Sequence, residues 1–191
     1  EEDLGGPLAQ PRRGGKAGWS FRRVWPPLAV PAAEDLPRRC VQLVVDTSGS
    51  MAGEKIEQAK AAVRSFLRSL RPTDLFQVIT FASAVQPFFD GPRPATAANL
   101  DDALRRVESL AARGGTNISG ALQEALAASV PPSDDGVLWL QQVVFVTDGQ
   151  STIGLTNPQQ ILELTRSTDT RSTRVFALGV GDDIDVRLID D

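Results

Sequence analysis

Two periods of apolar residues alternate along this chain. Short runs rich in β-branched residues, at 41–45, 75–81, 141–146 and 174–180, read as strands, the first of them buried and the second central. Between them apolar residues recur at helical spacing. Ile56, Ala59, Val63, Phe66, Leu67 and Leu70 form one stripe, which Pro72 stops, with Glu57, Lys60, Arg64 and Arg68 on its wet side. Leu100, Ala103, Leu104, Val107 and Leu110 form another over 99–111, and further helices are expected over 120–130 and 158–166. The segment 84–89 follows the second run after only two residues. Such a link fits a hairpin, so this strand is antiparallel and at an edge, where Pro87 is tolerated. The alternation predicts an α/β fold: a doubly wound, mostly parallel sheet with one antiparallel edge strand and helices on both faces.

Residues 1–37 break the pattern. Gly5-Gly6, Gly14-Gly15, Pro26-Pro27 and scattered arginines describe a linker or arm, with Trp19 to Trp25 as its one apolar cluster. The expected division is an extension, or the remnant of a preceding β domain, over 1–37 and a domain over 38–191. A hydrophobic content of 41% with 23% charged residues in 191 residues suffices for a substantial core. The net charge of −4 argues against a nucleic-acid partner. Histidine is absent, which removes the usual general base and the commonest metal ligand. Cys40 is the sole cysteine, so thiolate metal sites and internal disulfides are excluded, and a small buried residue at the head of a strand is expected. Neither a membrane span nor a signal peptide is read, so membrane insertion is not expected.

The first apolar run ends abruptly in Asp46-Thr47-Ser48-Gly49-Ser50. A carboxylate and two hydroxyls at the carboxyl end of a strand stand where open α/β sheets bind ligands. Three readings compete for this turn. It is a helix cap, a phosphate-binding turn lacking either glycine-rich phosphate motif, or a site for a small hard cation. The third needs partners, and two other loops supply them: Gly115-Thr116-Asn117 before a helix, and Thr147-Asp148-Gly149 at the end of another apolar run. If the first and fourth strands are neighbours, Asp46 and Asp148 converge with Ser48, Ser50 and Thr116. Two carboxylates and three hydroxyls suit the octahedron that Mg²⁺ prefers, and a dication relieves the repulsion between the two acids.

With these residues in place, the segments Asp46-Thr47-Ser48-Gly49-Ser50-Met51, Gly114-Gly115-Thr116-Asn117-Ile118 and Val146-Thr147-Asp148-Gly149 resemble the metal-ion-dependent adhesion site of von Willebrand factor type A domains. The run from Val41 to Phe81 is most similar to the inter-alpha-trypsin-inhibitor heavy-chain type and its bacterial relatives. The resemblance implies that Asp46, Ser48, Ser50, Thr116 and Asp148 hold Mg²⁺ or Mn²⁺, in preference to Ca²⁺, directly or through water. It further implies a protein partner that supplies an Asp or Glu carboxylate, and an adhesion or assembly module in place of an enzyme. An extracellular, cell-surface or periplasmic setting is favoured, with a cytoplasmic one left open. The family's sixth strand and final helix would follow 178–183, beyond a short helix expected from Ile184, Val186, Leu188 and Ile189. They are lacking, so another chain covering that edge is one expectation. Two other functions stay in play at this point: an Mg²⁺-dependent phosphoryl-transfer enzyme, and an intracellular scaffold domain working with an ATPase.

Overall fold

In the computed structural model the chain divides into two units, Glu1–Leu36 and Pro37–Asp191. The structure describes residues 37–128, 139–149, 151–169 and 173–180. The Trp19 cluster and the helix expected around 184–189 lie outside the described residues.

The described elements run β1 (Arg39–Asp46), a 3₁₀ turn (Gly49–Met51), α1 (Glu54–Ser69), β2 (Leu75–Phe81), β3 (Val85–Pro87), β4 (Arg93–Pro94), α2 (Ala97–Glu108), α3 (Ile118–Ala127), β5 (Leu140–Thr147), α4 (Pro158–Thr168) and β6 (Arg174–Gly179). The sheet order is β3-β2-β1-β5-β6, with β4 also paired to β2. The pairs β1–β2, β1–β5 and β5–β6 are parallel. The edge strand β3 is antiparallel to β2, as the short link demands. The two-residue β4 lies end to end with it on β2 and is also antiparallel, a pairing too short to leave an apolar period in the sequence.

Alternation along the strands feeds two cores. Val41, Leu43 and Val45 of β1 pack with Ala59, Val63 and Leu67 of α1 and with Ala103 and Val107 of α2. Val44, Ile79 and Phe145 face the other way, onto Ile118, Leu122 and Leu126 of α3 and Ile161 of α4. Both faces of β1 and β2 are therefore buried, which explains their near-continuous apolar runs.

Side chains set the helix starts. Thr96 accepts the N–H of Asn99 at α2, Asn117 that of Gly120 at α3, and Asn157 that of Gln159 at α4. These caps start α2 and α3 two residues earlier than the apolar spacing alone suggests. Lys60, expected on the wet side of α1, is instead buried. Its stem lies along the helix and its ammonium reaches Glu57 Oε1 at 2.8 Å. Cys40 is buried at the head of β1, as expected. Among the described residues β6 is the far edge of the sheet, and its Val175, Phe176 and Leu178 are exposed. No helix among the described residues is long and apolar enough to cross a membrane.

Candidate metal centre

Register brings the first and third loops together. β1 and β5 pair through Val45 and Val146, so Asp46 and Asp148 emerge at the same edge of the sheet. Asp46 is fully buried. Its Oδ1 accepts the backbone N–H of Ser48 at 2.8 Å, and its Oδ2 accepts the hydroxyl of Thr147 at 2.6 Å. Ser48 Oγ and Ser50 Oγ lie 3.0 Å apart, and Ser50 Oγ donates to Asp148 Oδ1 at 3.0 Å. Burial pushes the Asp46 carboxyl above its ordinary pKa. The bonds from Ser48 and Thr147 oppose that shift, and the neighbouring Asp148 charge adds to it.

Helix capping does not account for these hydroxyls. Ser48 stands before the 3₁₀ turn, but its side chain caps no N–H there, and α1 is preceded by Gly53, which has no side chain to offer. The hydroxyls of Ser48 and Ser50 point instead toward each other and Asp148.

The second loop is joined by its backbone. Gly49 N donates to Gly114 O and Arg113 N to Thr47 O, both at 2.8 Å, and Asn117 N donates to Ala82 O at 2.9 Å. Thr116 is buried. Its N–H is taken by Thr152 Oγ1 at 2.8 Å, and its carbonyl accepts from Thr152 and Ile153. Its hydroxyl bonds to neither carboxylate. Gly114 has φ +79°, and a Cβ there would stand 2.8 Å from Ser83 Oγ. Gly114→Ala is therefore expected to lower stability by about 1–2 kcal/mol, measured by urea unfolding. A loss below about 0.3 kcal/mol would show that this loop is not held as tightly as its bonds indicate.

The structure thus joins Asp46, Ser48, Ser50 and Asp148 in one bonded cluster, with the Thr116 loop tied to it through Gly49 and Gly114. Two participants escape a sequence reading. Thr147 supports Asp46, and its only signal is a hydroxyl just before the second acid. Lys55, whose position suggests a solvated helix face, donates to Asp148 Oδ2 at 3.0 Å. All five predicted donors are oxygens, the chemistry a hard dication requires. Among the described residues no group of three or more His, Cys, Asp or Glu side chains forms a metal cluster. Any cation here would rely on two carboxylates and on hydroxyls.

Residues 40–190 match the family profile of the von Willebrand factor type A domain. Inter alpha-trypsin inhibitor, heavy chain 4 of Mus musculus is 34% identical over 162 residues, 80% of this chain and 17% of that protein. The chain thus spans less than a fifth of the length of this relative. Among solved structures, a von Willebrand factor type A protein from Catenulispora acidiphila superimposes with a TM-score of 0.69 at 19% identity, covering 80% of this chain and 35% of that one. The manganese-loaded Plasmodium vivax TRAP protein gives 0.61 at 22% identity, covering 79% and 60%. At these identities the two structures establish likeness of fold.

Proposed function

Since the chain belongs to the von Willebrand factor type A family over residues 40–190, we propose that it is a cation-dependent protein-binding module whose Asp46, Ser48, Ser50, Thr116 and Asp148 hold Mg²⁺ or Mn²⁺. Domains of this family are interaction modules and not enzymes, which sets aside the phosphoryl-transfer reading. They commonly bind a divalent metal, and the manganese-loaded structural neighbour is consistent with that.

The observation that carries the proposal is the bonded run from Ser48 through Ser50 to Asp148, with the buried Asp46 beside it. Each residue has a distinct part. Asp46 and Asp148 supply the negative charge. Ser48, Ser50 and Thr116 supply neutral oxygens, so the donor set neutralises a dication without reversing its sign. Thr147 and the Ser48 N–H fix the orientation of Asp46. The bound cation supplies a positive centre for a carboxylate. Lys55 adds a further positive charge at the rim, so an Asp or Glu side chain of a partner is favoured there although the whole chain is acidic. An extracellular or cell-surface setting fits such a module.

Calorimetric titration of the metal-stripped protein with Mg²⁺ and Mn²⁺ tests this reading. Saturable 1:1 binding is expected, weakened at least about tenfold in Ser48→Ala and Thr116→Ala, with unchanged circular dichroism. Wild type that takes up neither ion at millimolar concentration would overturn it. With the ion present, capture of acidic proteins that chelation releases is the second expected result.

A further inference from the structure

Lys55 stands in the first turn of α1. There the unpaired backbone N–H groups and the helix dipole disfavour positive charge. Glu54 and Glu57 in the same turn have the favoured sign, and Lys55 does not. Its ammonium is turned into the rim, 3.0 Å from Asp148 Oδ2, with the lysine side chain 28% exposed and the aspartate side chain 7%. The bond spans 93 positions of sequence, so it is a tertiary contact built by the β1–β5 pairing and not a helix-surface pair. Asp148 is thereby engaged at both oxygens, by Ser50 on Oδ1 and by Lys55 on Oδ2.

We propose that Lys55 is a tethered counter-cation that holds Asp148 when no dication is bound and competes with the dication for that carboxylate. The proposal rests on the metal-binding reading above. Two opposed consequences follow from Coulomb's law. Without a dication, the ammonium offsets part of the repulsion between Asp148 and the buried Asp46, so it supports the fold of the rim. With one, the dication must share Asp148 with a neighbouring positive charge, so the same ammonium weakens its binding. A lysine that merely braced the rim would help both states. A lysine on an open helix face would affect neither.

Lys55→Met and Lys55→Arg, measured beside wild type, separate these cases. Each metal-free protein is checked by circular dichroism, unfolded thermally and titrated with MnCl₂ at low and high salt. For Lys55→Met, Mn²⁺ is expected to bind about tenfold tighter or better at low salt, with the gap narrowing at high salt. The unfolding midpoint of the same variant without metal is expected to fall by about 2–4 °C. Lys55→Arg keeps the charge and stays near wild type on both counts. If wild type binds Mn²⁺ and Lys55→Met binds it equally or more weakly, the counter-cation role is wrong and the metal site stands. If wild type shows no Mn²⁺ binding, the metal-binding reading fails and the counter-cation role with it.

Discussion

Asp46→Asn is expected to abolish saturable Mg²⁺ and Mn²⁺ binding while leaving the metal-free protein as stable as wild type, or up to about 1 kcal/mol more stable. Asp46 is fully buried, and its burial, reinforced by the charge of Asp148, disfavours the ionised form. Asparagine has the same shape. Its oxygen can accept the Ser48 N–H, and its amide nitrogen can donate to Thr147 Oγ1, which keeps the Gly149 N–H and turns its own proton elsewhere. The substitution thus removes a charge whose burial is costly in the metal-free protein, and one of the two carboxylates a dication would need. Thermal unfolding with and without Mn²⁺ reads both effects at once. A metal-dependent rise in midpoint that survived in the variant would remove Asp46 from the site. A variant destabilised without metal would make Asp46 a structural residue of the turn.

Asp74→Ala is expected to lower the unfolding free energy by about 2–3 kcal/mol at neutral pH. Asp74 lies at the start of β2, at the opposite end of the sheet from Asp46 and Asp148, and its side chain is wholly buried. It accepts bonds from the backbone N–H and guanidinium of both Arg39 and Arg71, which fastens the start of β1 to the turn before β2. Burial by itself pushes this carboxyl up. The hydrogen bonds from Arg39 and Arg71 outweigh it and hold the pKa at about 2, below the ordinary 3.8. A carboxyl whose pKa is depressed by folding adds stability above its unfolded value and loses it as pH falls through its folded value. The difference between wild type and variant should therefore be near full above about pH 4 and be lost as pH falls through about 2. Because both arginines are partly exposed, the figure stays below that of a fully enclosed pair. Urea unfolding across that range checks it. A difference independent of pH would assign the loss to packing and not to charge.

Much of the bonded cluster is legible in the sequence, because it is made where apolar runs stop. Asp46 and Asp148 each close a strand. That these two strands are neighbours comes from the β1–β5 pairing and not from their apolar runs, since β2 is buried as fully without touching β5. The helical stripe from Ile56 to Leu70 likewise stands as the spacing requires, with Phe66 only partly buried at its margin. What escapes depends on the third dimension. The Thr147–Asp46 and Lys55–Asp148 bonds join residues about a hundred positions apart and leave no period in the sequence. β4 is two residues long and contains a proline. Lys60 is buried because its apolar stem lies along the helix while its head finds Glu57, which polarity alone cannot foretell.

The backbone bonds between the loops have a thermodynamic consequence. Thr47 to Arg113, Gly49 to Gly114 and Ala82 to Asn117 are closed by folding itself, so the loops lose their conformational entropy before any ligand arrives. Under the proposed metal-binding reading, an ion meeting such a preorganised frame has no chain to immobilise, and discrimination would fall on how readily it sheds water. Mg²⁺ gives up its hydration shell reluctantly and demands a near-ideal geometry, whereas Mn²⁺ takes a similar oxygen environment with less insistence. The stiffness of three loops thereby turns a question of protein flexibility into one of ion dehydration.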